Sequence, residues 1–221
     1  MWCVDLRGDA GAHLAVLSTE ERARLDRLRG AARRRFAISH AAMRRALAMY
    51  LGRPPDDVPL AAPYGEPPRT PGLHLSLAHG EQLGLLAVAP APVGVDLEEL
   101  SRVQADELAE LAETTLTLRE KAAFERTSPP DRARAWLRWW VRKEAVLKGR
   151  GLGLSDRLPT EVDVSGDRFE GLALIDLDVG AGHVAALAGA PPLERIRVMT
   201  WPPGRRSSGD VGPGPEGRPR R

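Results

Sequence analysis

The sequence predicts an α+β protein, because helical patterns and strand-like patterns alternate twice along the chain. An arginine-rich helical region that ends near Gly52 comes first, and a Trp-rich helical region that ends near Gly149 comes later. Short apolar runs follow each helical region and predict strands. These runs cover residues 73–77, 83–89 and 93–98 after the first region, and residues 160–164, 172–177 and 183–188 after the second. Because this order of helices followed by strands occurs two times, the sequence indicates two similar α+β halves.

Residues with capping chemistry mark where two helices begin. Ser18 is followed three residues later by Glu21, and Thr117 is followed three residues later by Glu120. At this spacing each side chain can bond to the backbone N–H of the other residue, which is the capping box of a helix N-terminus. The sequence therefore predicts helices that start at Ser18 and at Thr117.

Length and composition narrow the class of protein. The chain has 221 residues, 43% of them apolar, which is enough for one large domain or two small ones. A formal net charge of +2 gives no case for nucleic acid binding. Cys3 is the only cysteine, which excludes an intrachain disulfide and fits an intracellular protein. Asp5 and Arg7 interrupt the first apolar run, so no signal peptide is predicted.

Two further stretches bear on the location of the protein. The longest apolar stretch, residues 83–95, contains two prolines and is too short to span a bilayer. Residues 202–221 consist mostly of Gly, Pro, Ser and Arg, which predicts a disordered tail. We expect a cytoplasmic monomer with no membrane partner.

Two acidic residues stand at the end of the predicted strand 93–98. Residues i and i+2 of a strand share a face, so Asp96 and Glu98 are expected to project together. Like charges side by side repel each other unless a cation lies between them, and hard oxygen ligands suit magnesium. The alternative is a solvated strand end, and this short motif alone does not decide between the two.

A third carboxylate lies in the Trp-rich helical region. Steps of four, four and three residues put Trp136, Trp140, Glu144 and Leu147 on one stripe of the helix. A carboxylate on an apolar stripe is costly unless it is paired or bound to a metal. Lys148 follows Glu144 by four residues, so an ordinary helix ion pair is the alternative to a functional site.

These two clusters, in this order, resemble motifs of the Sfp-type 4′-phosphopantetheinyl transferases. The first is G-V-D-L-E at residues 94–98, and the second is W-V-R-K-E-A-V-L-K-G-R-G at residues 140–151. Four shorter segments are also similar to motifs of that family: L-S-T-E-E-R at 17–22, Y-G-E-P at 64–67, L-S-L-A-H-G at 75–80 and G-H-V-A-A-L at 182–187. The resemblance extends from about Val16 to about Leu187.

The resemblance implies the fold of that family, in which the two α+β halves form a pseudo-dimer. The first half, residues 1–92, would bind the nucleotide end of coenzyme A, and the second half, residues 93–201, would carry the metal and transfer residues. The implied reaction is magnesium-dependent transfer of 4′-phosphopantetheine from coenzyme A to a serine of an apo acyl or peptidyl carrier protein. Adenosine 3′,5′-bisphosphate would be released.

The resemblance also implies roles for individual residues at the reacting phosphate. Asp96, Glu98 and Glu144 would hold Mg²⁺, and Lys148 would grip the phosphates. The base that accepts the serine proton stays open between Glu144 and a metal-activated water. The candidate catalytic residues are therefore Glu144, Lys148 and Asp96.

Other positions would hold the coenzyme. Arg24 falls where relatives use a cation for the 3′-phosphate, and a guanidinium suits that role. The backbone of Gly65 and Pro67 would approach the adenine. The full set of implied coenzyme A-binding residues is Arg24, Gly65, Pro67, Ser76, His79, Lys143 and Lys148.

Four positions differ from the pattern of the family at the nucleotide end, namely His40, Glu66, Ser76 and Ala78. One alternative is therefore a catalytically weak relative that binds coenzyme A or a carrier protein. A second alternative is an arginine-rich nucleic-acid binder, for which the chain lacks interleaved aromatic residues and a recognisable reading module.

Overall fold

Two four-stranded sheets organise the computed structural model, which describes residues 1–61, 68–152, 158–193 and 196–201. The strands are β1 (Trp2–Asp5), β2 (His74–His79), β3 (Leu83–Ala89), β4 (Val93–Glu99), β5 (Arg168–Phe169), β6 (Leu172–Leu177), β7 (His183–Gly189) and β8 (Met199–Trp201). The helices are α1 (Thr19–Leu25), α2 (Gly30–Leu51), α3 (Leu108–Thr115), α4 (Leu118–Glu125) and α5 (Arg132–Gly149). The predicted α+β class is confirmed. Within the described ranges no helix is both long and apolar enough to cross a membrane.

Each sheet carries one long helix. The first sheet has the order β2-β3-β1-β8, with β1 antiparallel to β3 and parallel to β8. The second sheet has the order β4-β7-β6-β5 and is antiparallel throughout. Helix α2 packs against the first sheet, and α5 packs across β4, β7 and β6 of the second. The alternating sequence pattern predicted this arrangement, in which each of the two sheets packs against a helix.

The two sheets share a core along their edge strands β2 and β4. Val95 and Leu97 of β4 are buried in one cluster with Leu85 of β3 and Cys3 of β1. The opposite face of β4 is covered by α5. Because strand side chains alternate between faces, the apolar residues of β4 face the first half while Asp96 and Glu98 face the helix.

The last strand crosses the boundary that the sequence suggested between the halves. Residues 199–201 were expected to belong to the second half, 93–201, but β8 pairs with β1 in the first sheet, with Val4 opposite Trp201. A three-residue strand has too little pattern to predict its partner. The pairing of β8 therefore emerges only from the fold.

The predicted helix starts are confirmed, and one predicted strand is wrong. Both capping boxes are present, at Ser18 with Glu21 and at Thr117 with Glu120. Residues 160–164 were expected to form a strand, but they contain the end of a 3₁₀ turn, Pro159–Glu161, and no strand. Backbone groups of this segment bond to side chains instead: Lys143 donates to carbonyls there, and Glu120 accepts from Val164 N.

Candidate functional site

A close approach between β4 and α5 builds the site. Gly94 lies against the helix backbone, where a Cβ atom would come within 1.9 Å of the Ala145 carbonyl oxygen and 2.4 Å of Gly149 N. Only glycine therefore allows the strand and the helix to approach this closely. Since Asp96 lies two residues beyond Gly94 on the same face, the approach brings Lys148 of α5 over that carboxylate.

Asp96 and Lys148 form the centre of the site. Lys148 Nζ donates to Asp96 Oδ1 over 2.6 Å, and Asp96 is only 5% exposed. The second oxygen of the same carboxylate, Oδ2, is buried and has no hydrogen-bond partner among the described residues. A buried carboxylate oxygen without a donor is costly, so this atom is a ready ligand for a cation or a proton donor.

Two more carboxylates belong to the same electrostatic group. The pKa of Glu144 is raised because the group is buried, and Asp96 and Glu98 raise it further while Lys148 opposes them. The pKa of Glu98 is also raised by burial first and then by the charge of Asp96. Three carboxylates thus share one site with Lys148, while Arg102 pairs with Glu98 over 3.8 Å, and the remaining negative charge favours a divalent cation.

The fit of the site to magnesium rests on donor type and charge. Carboxylate oxygens are ligands that Mg²⁺ prefers, and the unpartnered Oδ2 of Asp96 is such an oxygen. In the described part of the chain, no three Asp, Glu, His or Cys side chains stand close enough together to enclose an ion. In this conformation the counter-charge of Asp96 is the Lys148 ammonium. The donor set fits a cation, and Lys148 competes with it for Asp96.

His79 of the first sheet lies in the positive field of the same region. It is the last residue of β2, and its side chain reaches solvent. Burial by the surrounding protein lowers the pKa of its ring, and the nearby cations Arg35 and Lys148 lower it further, although a backbone hydrogen bond partly opposes them. Arg35 of α2 and Lys148 of α5 therefore act on one region, and binding of a polyphosphate requires such converging cations.

Residues 92–192, which hold the carboxylates and Lys148, match the model of the 4′-phosphopantetheinyl transferase superfamily. Through this segment the chain is similar to that superfamily. The match supports the predicted resemblance to the 4′-phosphopantetheinyl transferases.

Two curated proteins with similar sequences are named as 4′-phosphopantetheinyl transferases. The 4′-phosphopantetheinyl transferase HetI of Nostoc sp. is 32% identical over 149 residues, which cover 64% of this chain and 62% of HetI. The 4′-phosphopantetheinyl transferase AcpT of Salmonella typhimurium is 31% identical over 109 residues, which cover 46% of this chain and 56% of AcpT. The chain thus spans about three fifths of the length of these relatives.

One solved structure that part of the chain matches is the holo-[acyl-carrier-protein] synthase of Thermotoga maritima. It is 23% identical, with a TM-score of 0.36, and the match covers 45% of this chain and 62% of that protein.

Outside the superfamily segment, the N-terminal residues form a second cluster. Arg24 of α1 lies over the ring of Phe36, with its guanidinium carbon 4.9 Å from the ring centroid. His40 is buried and stacks on the same ring at 3.8 Å, and its Nδ1 lies 2.9 Å from Glu21 Oε1. Arg44 donates to the other oxygen of Glu21 over 2.6 Å. His40 therefore helps to hold α1 on α2, a role that the sequence did not reveal.

Lys143 does not lie where the resemblance placed it, and this expectation is corrected. Its side chain is fully buried, and its ammonium contacts Glu120 Oε2 at 2.6 Å and donates to the carbonyls of Pro159 and Val162. The ammonium is thus fully engaged inside the second half and has no exposed surface for coenzyme A. Lys148, five residues later on α5, points to the carboxylates instead.

The expectation for Ser76 is corrected for a similar reason. The residue is 4% exposed, and its hydroxyl accepts a hydrogen bond from Val95 N over 3.0 Å. It links the edge strands β2 and β4 rather than facing a ligand. Gly65 and Pro67, with Glu66 between them, lie outside the described residues.

Sequence patterns did not reveal that Gly94 and Gly149 set the distance between β4 and α5. Both glycines stand inside the quoted motifs, and that was the available signal. Their importance became visible only from the contact of the two backbones, because spacing along the chain does not show which glycine lies against another element.

Proposed function

We propose that the chain is an Sfp-type 4′-phosphopantetheinyl transferase that modifies apo acyl or peptidyl carrier proteins. The observation that carries the proposal is the grouping of Asp96, Glu98, Glu144 and Lys148, which two separate sequence motifs supply to one face between β4 and α5. The transferase names of the relatives support the same reaction class.

The reaction requires charge neutralisation at a pyrophosphate. The serine hydroxyl of the carrier attacks the β-phosphorus of coenzyme A, so that a new P–O bond forms to the serine oxygen. The bridging P–O bond breaks, and adenosine 3′,5′-bisphosphate leaves with the bonding electrons. The hydroxyl proton passes to a base. Negative charge on the phosphoryl oxygens and the leaving group is what the site has to stabilise.

The carboxylates of Asp96, Glu98 and Glu144 would hold magnesium, since they supply hard oxygen ligands and surplus negative charge. When bound, the ion supplies Lewis acidity and a template for the pyrophosphate oxygens. Lys148 then exchanges its contact with Asp96 for contact with phosphate oxygens. Its position beside Asp96, on the rim of the site at 32% side-chain exposure, makes that exchange a small movement.

Two bases remain candidates for the serine proton. The pKa of Glu144 is raised by burial, and a carboxylate with a raised pKa is a better proton acceptor near neutral pH. A water activated by the metal is the other candidate. Because Glu144 is also a proposed metal ligand, its loss affects both routes.

Residues of the first half complete the proposed coenzyme site. His79 would hold the pyrophosphate together with Lys148, and the positive field around its ring supports this role. Arg24 would bind the 3′-phosphate, with its guanidinium oriented by the Phe36 ring. Gly65 and Pro67 would contact the adenine.

Intact-mass analysis of carrier proteins tests the proposal. An apo acyl carrier and an apo peptidyl carrier are each incubated with the chain, coenzyme A and magnesium, and matched samples contain a chelator. We expect a mass increase of one phosphopantetheine, absent with the chelator. If coenzyme A binds but neither carrier gains mass, the chain is instead a binding relative without transfer. Gel filtration tests the predicted monomer.

A further inference from the structure

The side chain of Glu99 reaches from the second sheet into a turn of the first. Its Oε1 atom accepts a hydrogen bond from Glu81 N over 2.7 Å, and its side chain is only 14% exposed. Glu81 lies in the turn between β2 and β3, two residues after His79. Glu99 thus connects the strand that carries Asp96 and Glu98 to the turn that follows His79.

Gly80 leaves the space that the Glu99 carboxylate occupies. A Cβ atom at residue 80 would lie 2.5 Å from Glu99 Oε1, so a larger residue would push the carboxylate away. The turn itself is closed by the hydrogen bond from Gly80 N to the Leu83 carbonyl at 2.9 Å. Gly80 and Glu99 are therefore matched to each other across the boundary of the two sheets.

The other end of the connection is anchored in the second sheet. Glu99 is the last residue of β4 and pairs with His183 of β7, whose Nε2 lies 3.9 Å from Glu99 Oε1. Leu100 N donates to the Gly182 carbonyl over 3.0 Å directly after it. The carboxylate is thus held on a fixed strand end and acts on the more exposed turn.

Two links set β2 and β4 side by side. Ser76 accepts a hydrogen bond from Val95, and Glu99 accepts one from Glu81 further along both segments. The two strands therefore run in the same direction. His79 lies three residues after Ser76, and Glu98 lies three residues after Val95. The Glu99 contact therefore fixes the position of His79 along the strand direction relative to Asp96 and Glu98.

We propose that Glu99 is a positioning residue that holds the His79 turn against the end of β4, so that His79 and the Asp96–Glu98 pair act on the same pyrophosphate. The role rests on the proposed transferase function. The proposed role is positioning and not substrate contact, because Glu99 Oε1 already accepts a hydrogen bond from the backbone of the turn. Contacts of this kind change activity by roughly tenfold when they are removed.

Amide hydrogen exchange tests the contact between Glu99 and the His79 turn without any substrate. Glu99→Ala should speed exchange at Glu81, whereas Glu99→Gln should preserve protection because its amide oxygen still accepts the bond. Gly80→Ala should displace the carboxylate from the other side and speed the same exchange. The matched control is Asp178→Ala, which removes a carboxylate that accepts from Gly180 N in another turn. Unchanged protection of Glu81 in Glu99→Ala would overturn the proposal.

Coenzyme A binding tests the functional part. Glu99→Ala should weaken binding and raise the Michaelis constant for coenzyme A by roughly tenfold, with Glu99→Gln close to wild type and Asp178→Ala unchanged. In a His79→Ala background the same substitution should have little further effect, because it acts through His79. Additive losses would assign Glu99 a merely structural role and overturn the proposal.

The two measurements separate two kinds of failure. If the unmodified chain neither binds coenzyme A nor modifies a carrier, the proposed function is wrong, and the exchange data alone decide whether Glu99 holds the turn. If the wild-type protein transfers phosphopantetheine and the Glu99 variants do so equally well, the proposed positioning role of Glu99 is wrong and the proposed function stands.

Discussion

Lys143 and Glu120 form an ion pair inside the second half, with Nζ and Oε2 2.6 Å apart and both side chains fully buried. Glu120 also caps α4 and accepts from Val164 N, so one carboxylate joins α4, α5 and the segment after α5. The two lysines of the α5 motif therefore have different roles, because Lys143 holds the half together and Lys148 faces the carboxylates.

Lys143→Met should destabilise the protein without removing a substrate contact. Loss of the ammonium leaves the Glu120 charge buried and unpaired, which costs about 3–5 kcal/mol in the free energy of unfolding. Urea unfolding measures this cost, and Lys143→Met combined with Glu120→Gln should recover much of it, because the glutamine is uncharged and its amide oxygen can still accept from Val164 N. A folded single variant of unchanged stability that has lost coenzyme A binding would restore Lys143 as a ligand.

Asp96→Ala and Glu144→Ala should each abolish metal-dependent transfer while the fold is retained. Both carboxylates belong to the proposed magnesium site, and loss of such charge stabilisation lowers kcat/KM by about 100-fold or more. Calorimetric titration with magnesium and carrier modification measure the two effects. Glu110→Ala, at an exposed position of α3, is the control. Near wild-type turnover in either variant would show that the metal assignment is wrong.

Gly94→Ala should destabilise the second half and disrupt the site. The new Cβ would collide with the Ala145 carbonyl at 1.9 Å, and backbone atoms cannot move aside as side chains do. We expect a loss of about 1–3 kcal/mol or more, measured by thermal and urea unfolding. Gly166→Ala, where nothing lies within 4 Å of the new Cβ, is the matched control. Equal stability of the two variants would mean that α5 does not need this close approach.

Glu144→Gln should stabilise the protein at neutral pH in the presence of a chelator. Burial raises the pKa of Glu144, so its contribution to stability is largest when the group is protonated and falls as the pH rises through the raised pKa. A glutamine cannot ionise and avoids that loss. The melting temperature of the variant should exceed that of wild type at pH 7, and the difference should shrink towards pH 4. A variant that melts lower at pH 7 would contradict this.

Arg24→Glu should raise the Michaelis constant for coenzyme A far more than that for 3′-dephospho-coenzyme A. Only the 3′-phosphate would contact the guanidinium, which the Phe36 ring orients. Steady-state kinetics with both substrates measure the difference, and Arg27→Glu at an exposed neighbouring position is the control. Equal effects on the two substrates would place Arg24 outside the phosphate site.

Local patterns were sufficient for much of the fold. The capping boxes at Ser18 and Thr117, the strands 83–89 and 172–177, and the shared face of Asp96 and Glu98 all depend on residues a few positions apart. Hydrogen bonds and side-chain directions over such distances follow from the helix and strand repeats, so spacing in the sequence predicts them.

Tertiary structure decided what the sequence could not. Spacing does not tell that Lys143 turns into the core while Lys148 faces Asp96, because both are lysines on one helix and only packing against β4 distinguishes them. The pairing of β1 with β8 and the match of Gly80 to Glu99 join residues far apart in the chain. Such contacts depend on how whole helices and strands pack, so the spacing of neighbouring residues in the sequence does not predict them.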